Sequence, residues 1–251
     1  MTEAPATFLD WDSQFFGKRI ARVNGNLLTP TTITILRAWC SEQRIECVYF
    51  LADSADALTI RTAEGAGFRL QDVRLTFMIH RPAVLPTSLP AEDAVTLRVS
   101  RPTDIDALRD TARHAYIHSR FYNDPRFTEE QCATLYDTWL TRSIDPNDHY
   151  ADMTFVADLE TAPVGYVACH LNPQTQTGTI GLVGVAEQTR GQQVGQKLVL
   201  HALRWFWDQG MQHIQVTTQG RNIAGQRLYQ RCGFLTHSLF LWYHLWLDEL
   251  P

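Results

Sequence analysis

The alternation of hydrophobic and polar positions changes period several times along this chain, and each change marks an element. Behind Thr103 and Asp104, either of which can cap a helix, Ile105, Leu108, Ala112 and Ala115 recur at three- and four-residue steps; a helix is predicted there, after a short strand in VTLRV. A second helix is predicted from about Glu129 to Ser143, with Leu135 and Trp139 on one face. The period then shortens, and MTFVAD, VGYVACHL and TIGLVGV read as strands separated by the turn-rich LETAP and NPQTQTG. Helical spacing returns from about Gln192 to Gln209, where Val194, Leu198, Ala202 and Trp205 share a side and Gly210 marks the stop. The strand HIQVTT, the helix IAGQRLYQRC and a strand within SLFLWYHLWL complete a mixed α/β order.

Prolines 82, 86 and 90 recur every four residues in HRPAVLPTSLPAED, each removing a backbone donor and restricting its neighbour. A linker over 81–93 is therefore expected, dividing a smaller N-terminal half-domain (1–80) from a larger domain (94–251). A shift of 166 positions lays VYFLADSADALTIRTAEGAGFRLQDVRLTFMIH over IQVTTQGRNIAGQRLYQRCGFLTHSLFLWYHLW without gaps, so that Gly67-Phe68 falls on Gly233-Phe234. A degenerate duplication is predicted, the first copy lacking the glycine turn described below.

Composition narrows the function classes. A net charge of -5 without any lysine/arginine block argues against duplex nucleic acid or an anionic membrane as partner. Five scattered cysteines with no C-x-x-C spacing fit reduced thiols, Cys232 as a small buried apolar group among them. His114 and His118 stand four apart on a helix but lack a third ligand nearby, so no metal is expected. The start has no basic flank before an apolar run and the aromatic tail FLWYHLW is too short to span a bilayer, so a cytoplasmic location is expected. The sequence allows a homodimer.

The chemistry gathers at VGVAEQTRGQQVGQKLVL, where an apolar segment passes through a polar turn into a helix. A helix N-terminus offers unpaired N–H groups and partial positive charge, and Gly191 and Gly195 would let a phosphate approach them. Glycines used only to shape a tight connection would look the same. With QGRNIAGQRLYQRCGF downstream, however, the stretch resembles the GNAT superfamily of N-acetyltransferases, in which V-x-x-x-x-R-G-x-G-[IV]-G-x-x-L precedes N-x-x-A-x-x-x-Y-x-x-x-G-F. The match falls on Val185, Arg190, Gly191, Val194, Gly195 and Leu198, then Asn222, Tyr229, Gly233 and Phe234. Gln193 stands where the family has a glycine, and Gly225 where it has alanine.

The resemblance implies a GNAT acyl-CoA N-acyltransferase fold, with a degenerate GNAT-like N-terminal domain, and acetyl-CoA as co-substrate between two splayed parallel strands, here IGLVGV and IQVTTQ. Leu182, Val183 and Val185 would lie along the pantetheine with Asn222 and Gly225, and the amides of Arg190, Gly191, Gln193, Val194, Gly195 and Gln196 would hold the pyrophosphate. Tyr229 matches the proton donor to the departing thiolate; a phenol of pKa about 10 can serve a thiol of pKa about 8.5 only modestly uphill. An N–H near Val183 to Val185 is the implied oxyanion donor. No acid in those strands offers itself as a base, which suits an amine acidified by neighbouring oxygens better than a lysine. Closer likeness in LDWDSQFFGKRIARV, HSRFYNDPRF, LYDTWL, GYVACHLN and TTQGRN implies acceptors of the nucleotide-linked amino-sugar class, such as a dTDP-4-amino-4,6-dideoxyhexose. Arg120 and Arg126 would then engage a diphosphate, Phe121 and Tyr122 would stack on a base or sugar, and Phe16, with Trp11 and Phe15, would form a wall. Other readings are acetylation of a protein amine, peptide or polyamine, or a non-catalytic acyl-CoA-binding module.

Overall fold

The computed structural model describes residues 4–81 and 94–249. The expected proline-rich linker lies outside the described residues except for Arg81. The N-terminal half runs β1 (Ala6–Phe8), α1 (Asp10–Phe16), β2 (Ile20–Val23), α2 (Pro30–Glu42), β3 (Cys47–Asp53), α3 (Ala57–Gly65) and β4 (Arg69–His80). The C-terminal half runs β5 (Val95–Val99), α4 (Ile105–Ala115), α5 (Arg120–Asn123), α6 (Glu129–Ile144), β6 (Met153–Leu159), β7 (Ala162–Asn172), β8 (Thr177–Val185), α7 (Val194–Asp208), β9 (His213–Gln219), α8 (Ile223–Arg231) and β10 (Leu235–Trp246). Local chemistry sets the helix starts. Thr29 and Thr128 close capping boxes on α2 and α6, and Asp56 and Asn222 cap α3 and α8 through their side chains. The element order follows the hydrophobic pattern; α5 is a single turn within HSRFYNDPRF, a stretch read as a loop.

All ten strands of the described residues join one sheet in the order β1-β2-β3-β10-β4-β9-β8-β7-β6-β5. The last strand of each half has crossed over: β10 lies between β3 and β4, and β4 lies between β10 and β9. The 166-residue shift carries β3, α3 and β4 onto β9, α8 and β10 end for end. It also carries register onto register. Phe240↔Asp53 and Trp246↔Cys47 become Arg74↔Gln219 and His80↔His213, and the β4–β10 ladder maps onto itself about Arg74↔Phe240. Even its two register irregularities correspond, at Gln71 and His237. The middle of the sheet thus has pseudo-twofold symmetry, and each half supplies a strand that the other half's sheet contains.

The exchange places charged residues deep in the molecule. Successive side chains of β4 face opposite ways. Phe77 joins the apolar layer beneath α7 and α8 with Val199, Phe206 and Phe234, whereas Asp72, Arg74 and Thr76 face the layer of α4 to α6. That second layer packs Leu108, Leu135 and Leu140 against Phe16 and Tyr49 from the N-terminal half. A third cluster, around Leu28, Leu36, Phe50 and Phe68, lies under α2 and α3.

Candidate active site

β8 and β9 are parallel but stay paired only from Thr177↔His213 to Ile180↔Val216. At that point the β7–β8 ladder jumps from Cys169↔Ile180 to Ala168↔Leu182, leaving Gly181 as a bulge. A Cβ on Gly181 would run into the His170 ring, and one on Gly184 would meet the Tyr166 ring. With those rings in place neither position has room for a side chain. Beyond the bulge the strands separate and two cavities form, one on each side of the opening.

The first cavity, about 400 Å³, is the cleft at the start of α7. Val183, Val185, Arg190, Gly191, Gln193, Val194, Gly195, Gln196, Asn222 and Gly225 all line it, so the residues named for the coenzyme come together, with only Leu182 facing elsewhere. Gly191 and Gln193 both have left-handed backbones, at φ 81° and 61°. The latter is the position where a glycine was expected; glutamine adopts it at a cost of roughly 1–2 kcal/mol. Because Gln193 is left-handed, α7 begins at Val194. Its first satisfied amide is that of Lys197, which donates to the Gln193 carbonyl at 3.0 Å. Gln193 provides no side-chain cap. No described group accepts from the amides of Val194, Gly195 or Gln196, which leaves a row of N–H donors at the positive end of the helix. The Asn222 side chain accepts from the Gly225 amide at 3.0 Å and donates to Thr218 Oγ1 at 3.0 Å. A Cβ at 225 would lie 2.6 Å from Asn222 Nδ2, which accounts for glycine where alanine was expected.

The second cavity, about 390 Å³, is a chamber lined by Leu182, Val183, Arg120 and Phe121 from the expected set. Asp72, Arg74, Tyr116, Tyr136, Trp139 and Trp242 also line it. Tyr229 belongs to the walls of both cavities. Its ring is buried near Phe77 and Phe234, at centroid distances of 6.1 and 6.0 Å, and burial, followed by the neighbouring Cys232, raises its phenol above the ordinary range, so it is protonated at neutral pH. Burial likewise pushes the Cys232 thiol up to about 12, leaving it inert.

Five expected acceptor residues do not line the chamber. Trp11 stacks on Phe15 at 5.1 Å between ring centroids, and Phe15 meets the edge of Phe16 at 4.9 Å. Phe16 is core, 4.3 Å from Phe127 and 5.4 Å from Phe121 between ring centroids. Tyr122 donates its hydroxyl to the Arg113 carbonyl at 3.0 Å. Arg126 pairs with Asp248 at 2.7 Å on the surface and covers Trp246. In the layered interior, aromatic side chains from adjacent helices satisfy one another, and loop membership did not distinguish those facing inward from those facing the chamber.

Arg120 is held by a buried relay. Its Nη1 donates to His244 Nε2 at 2.8 Å; an arginine can only donate, so His244 is neutral with its proton on Nδ1, which donates to Asp124 at 2.6 Å. Trp246 Nε1 donates to the same carboxylate oxygen at 3.0 Å. Burial lowers the His244 pKa to about 4, with Arg120 adding to this and Asp124 opposing it. Burial works to raise Asp124, but the hydrogen bonds from His244, Trp246 and the Arg126 amide outweigh it, so the carboxylate stays ionised. The Arg120 guanidinium is also about 4 Å from the rings of Tyr49, Phe121 and Trp242. Tyr116 donates to the Val183 carbonyl at 3.1 Å and lies 3.2 Å from the Tyr166 hydroxyl. The alternation of Trp242, His244 and Trp246 along the last strand was the one sequence signal for this relay. His114 and His118 line the cleft, and among the described residues no cluster could hold a metal ion. No described helix is long and apolar enough to cross a membrane.

Comparison with known proteins follows the same lines. A model of the Acetyltransferase (GNAT) family matches residues 110–234. Over 93% of this chain and 95% of the other, the sequence is 25% identical to a dTDP-fucosamine acetyltransferase of Escherichia coli O6:H1. It is 23% identical over 58% of the chain to the spore coat polysaccharide biosynthesis protein SpsD of Bacillus subtilis, of whose length the match spans about half, 48%. A GCN5-related N-acetyltransferase from Sphaerobacter thermophilus shares the fold over 96% of this chain and 76% of its own, with a TM-score of 0.67 and 16% identity.

Proposed function

The chain belongs to the GNAT acetyltransferase family, and from that premise we propose that it moves the acetyl group of acetyl-CoA to the amine of a nucleotide-linked amino sugar, by direct attack in a ternary complex. The observation that carries this reading is the position of Tyr229 in the wall shared by the cleft and the chamber. A donor entering from one side and an acceptor entering from the other would meet at its hydroxyl.

The cleft fits the coenzyme. Unpaired amides from Val194 to Gln196 suit a pyrophosphate, and the splayed edges of β8 and β9 suit the pantetheine amides. Acetyl-CoA supplies an activated thioester carbonyl when bound. Tyr229 holds a proton where the thiolate departs, and its raised pKa keeps that proton in place until a base as strong as a thiolate forms nearby. Tyr116 fixes the Val183 carbonyl and with it the lip of the opened strand.

The chamber suits an anionic acceptor. Arg120 is oriented by the His244 relay, and Arg74 has a buried Nε with no partner among the described residues. Two guanidinium groups favour a diphosphate and disfavour a cationic polyamine. The acceptor class is also that of the E. coli relative, whose name gives dTDP-fucosamine as its substrate. Thiol release from acetyl-CoA, measured with dTDP-fucosamine, a polyamine and a lysine peptide, tests the reading. Turnover is expected with the nucleotide sugar, and its KM should rise about 10-fold or more in Arg74→Ala. Turnover restricted to the polyamine or the peptide would overturn the acceptor assignment.

A further inference from the structure

Direct attack needs a neutral amine, and the stretches of β8 and β9 that line the two cavities offer no acid or base to make one. The chamber does. We propose, resting on the acetyl-transfer reading above, that Asp72 of β4 takes the proton from the acceptor's amine. Asp72 is the only carboxylate among the described residues lining the chamber, and Tyr229 lines the same space. It is buried, and its Oδ1 has no hydrogen-bond partner among the described residues. A buried carboxylate oxygen without a partner is costly to keep unless something enters to meet it. An ammonium group is the complementary ligand.

The surroundings tune it. Burial raises the Asp72 carboxyl to about 7, while the amides of Val73 and Gly220 and the charges of Arg120 and Arg221 pull it back. The other titratable groups among the described residues lining the chamber are Arg74 on its own strand, Arg120 from α5, Tyr116 just after α4, Tyr136 from α6 and Tyr229 from α8. The tyrosines are neutral at working pH, each raised by burial, so none competes for the proton. His114 and His118 line the coenzyme cleft and not the chamber. A carboxylate titrating near neutrality is poised to accept a proton and to release it again.

The step balances as follows. The acceptor enters as an ammonium ion and gives one proton to the Asp72 carboxylate. The freed nitrogen lone pair forms a bond to the thioester carbon, the C–S bond breaks, and the thiolate leaves with the proton of Tyr229. The nitrogen gives up its second proton as the amide forms, which restores Tyr229 through the solvent of the chamber, and Asp72 returns its proton to water. The products are an N-acetyl amide, a free thiol and one proton.

The test is a set of pH–rate profiles with acetyl-CoA and dTDP-fucosamine for the wild type, Asp72→Asn and Asp72→Glu, together with calorimetry of acetyl-CoA binding. The wild-type kcat/KM is expected to rise with pH through an inflection near 7. Asp72→Asn should lower kcat at pH 7 by about 100-fold or more, lose that inflection and recover toward the wild-type rate as the free amine becomes abundant at high pH. Acetyl-CoA affinity should be unchanged, which shows the cleft intact, and Asp72→Glu should keep the inflection with reduced kcat. An Asn variant with the wild-type inflection, or a loss that is uniform across pH and accompanied by weakened acetyl-CoA binding, would overturn the assignment while leaving the function standing. A wild-type protein that releases thiol with no amine would remove the function itself, and the role of Asp72 with it.

Discussion

The two halves of the sheet carry the same strand-helix-strand unit, but among the described residues only the C-terminal half leaves the gap between its parallel strands open. In the N-terminal half the segment after β2 lies against β3: the Asp53 amide donates to the Asn26 carbonyl at 2.9 Å, and the Asn26 side chain donates to the Leu51 carbonyl at 2.6 Å. The matching residues of the other half, Gln219 and Thr217, line the chamber instead. Thr59 receives the Leu28 amide at 2.9 Å and ties that segment down, whereas its counterpart is Gly225, which has no side chain to do so. The helix that follows differs as well. α2 starts with Pro30, which has no N–H, behind a Thr29 capping box, while α7 starts with uncapped amides behind Gln193. One fold therefore has two outcomes: where the chain satisfies its own strand edge and helix start it builds a core, and where it leaves them unsatisfied it leaves an open cleft.

The largest effect expected from testing this contrast is at Tyr229, whose counterpart in the N-terminal half is Ala63. Tyr229→Phe should lower kcat by about 10²- to 10⁴-fold with acetyl-CoA affinity unchanged, as separated by steady-state kinetics and calorimetry; unchanged kcat would remove the phenol from the mechanism. Next is an acid instability peculiar to β10, because Met78 stands in β4 where His244 stands in β10. Neutral His244 contributes its full stabilisation above pH 6.5, and the contribution is lost as pH falls toward about 4. Denaturant melts across that window should show about 3 kcal/mol of loss that His244→Gln abolishes. A melt insensitive to this substitution would contradict the buried neutral imidazole.

Smaller effects sharpen the comparison. Gly225→Thr copies the N-terminal residue into the C-terminal half and brings a Cβ against Asn222. It should weaken acetyl-CoA binding by about 10-fold or more, or about 1.4 kcal/mol, with the fold retained by circular dichroism. Equal affinity would mean that the cleft owes nothing to this glycine. Gln193→Gly should raise stability in thermal melts by about 1 kcal/mol, by relieving the left-handed backbone, and leave binding equal or tighter.

Much of this was legible in the sequence, because it rests on short-range order. The cleft residues from Val183 to Gln196 lie on one strand, one turn and one helix start, so a resemblance carried by two short motifs named them together, and the gapless 166-residue shift anticipated the equivalence of β3 and β9. The exchange of β4 and β10 was not legible, since strand pairing across halves is decided by tertiary packing and leaves no local period. Asp72 was hidden for the same reason: on a strand read as part of the N-terminal half, it had no evident route to Tyr229. Phe16, Tyr122 and Arg126 had the right chemistry in the right segment, but inward packing and a surface ion pair claim them.

Amide hydrogen exchange measured with and without acetyl-CoA tests the central claim most directly, because it reads both helix starts in one experiment. Slowed exchange confined to the amides of about Gly191 to Gln196, with the stretch from Asn26 to Ile33 unaffected, is the predicted result. Slowing at the N-terminal stretch, or none at the start of α7, would contradict the account.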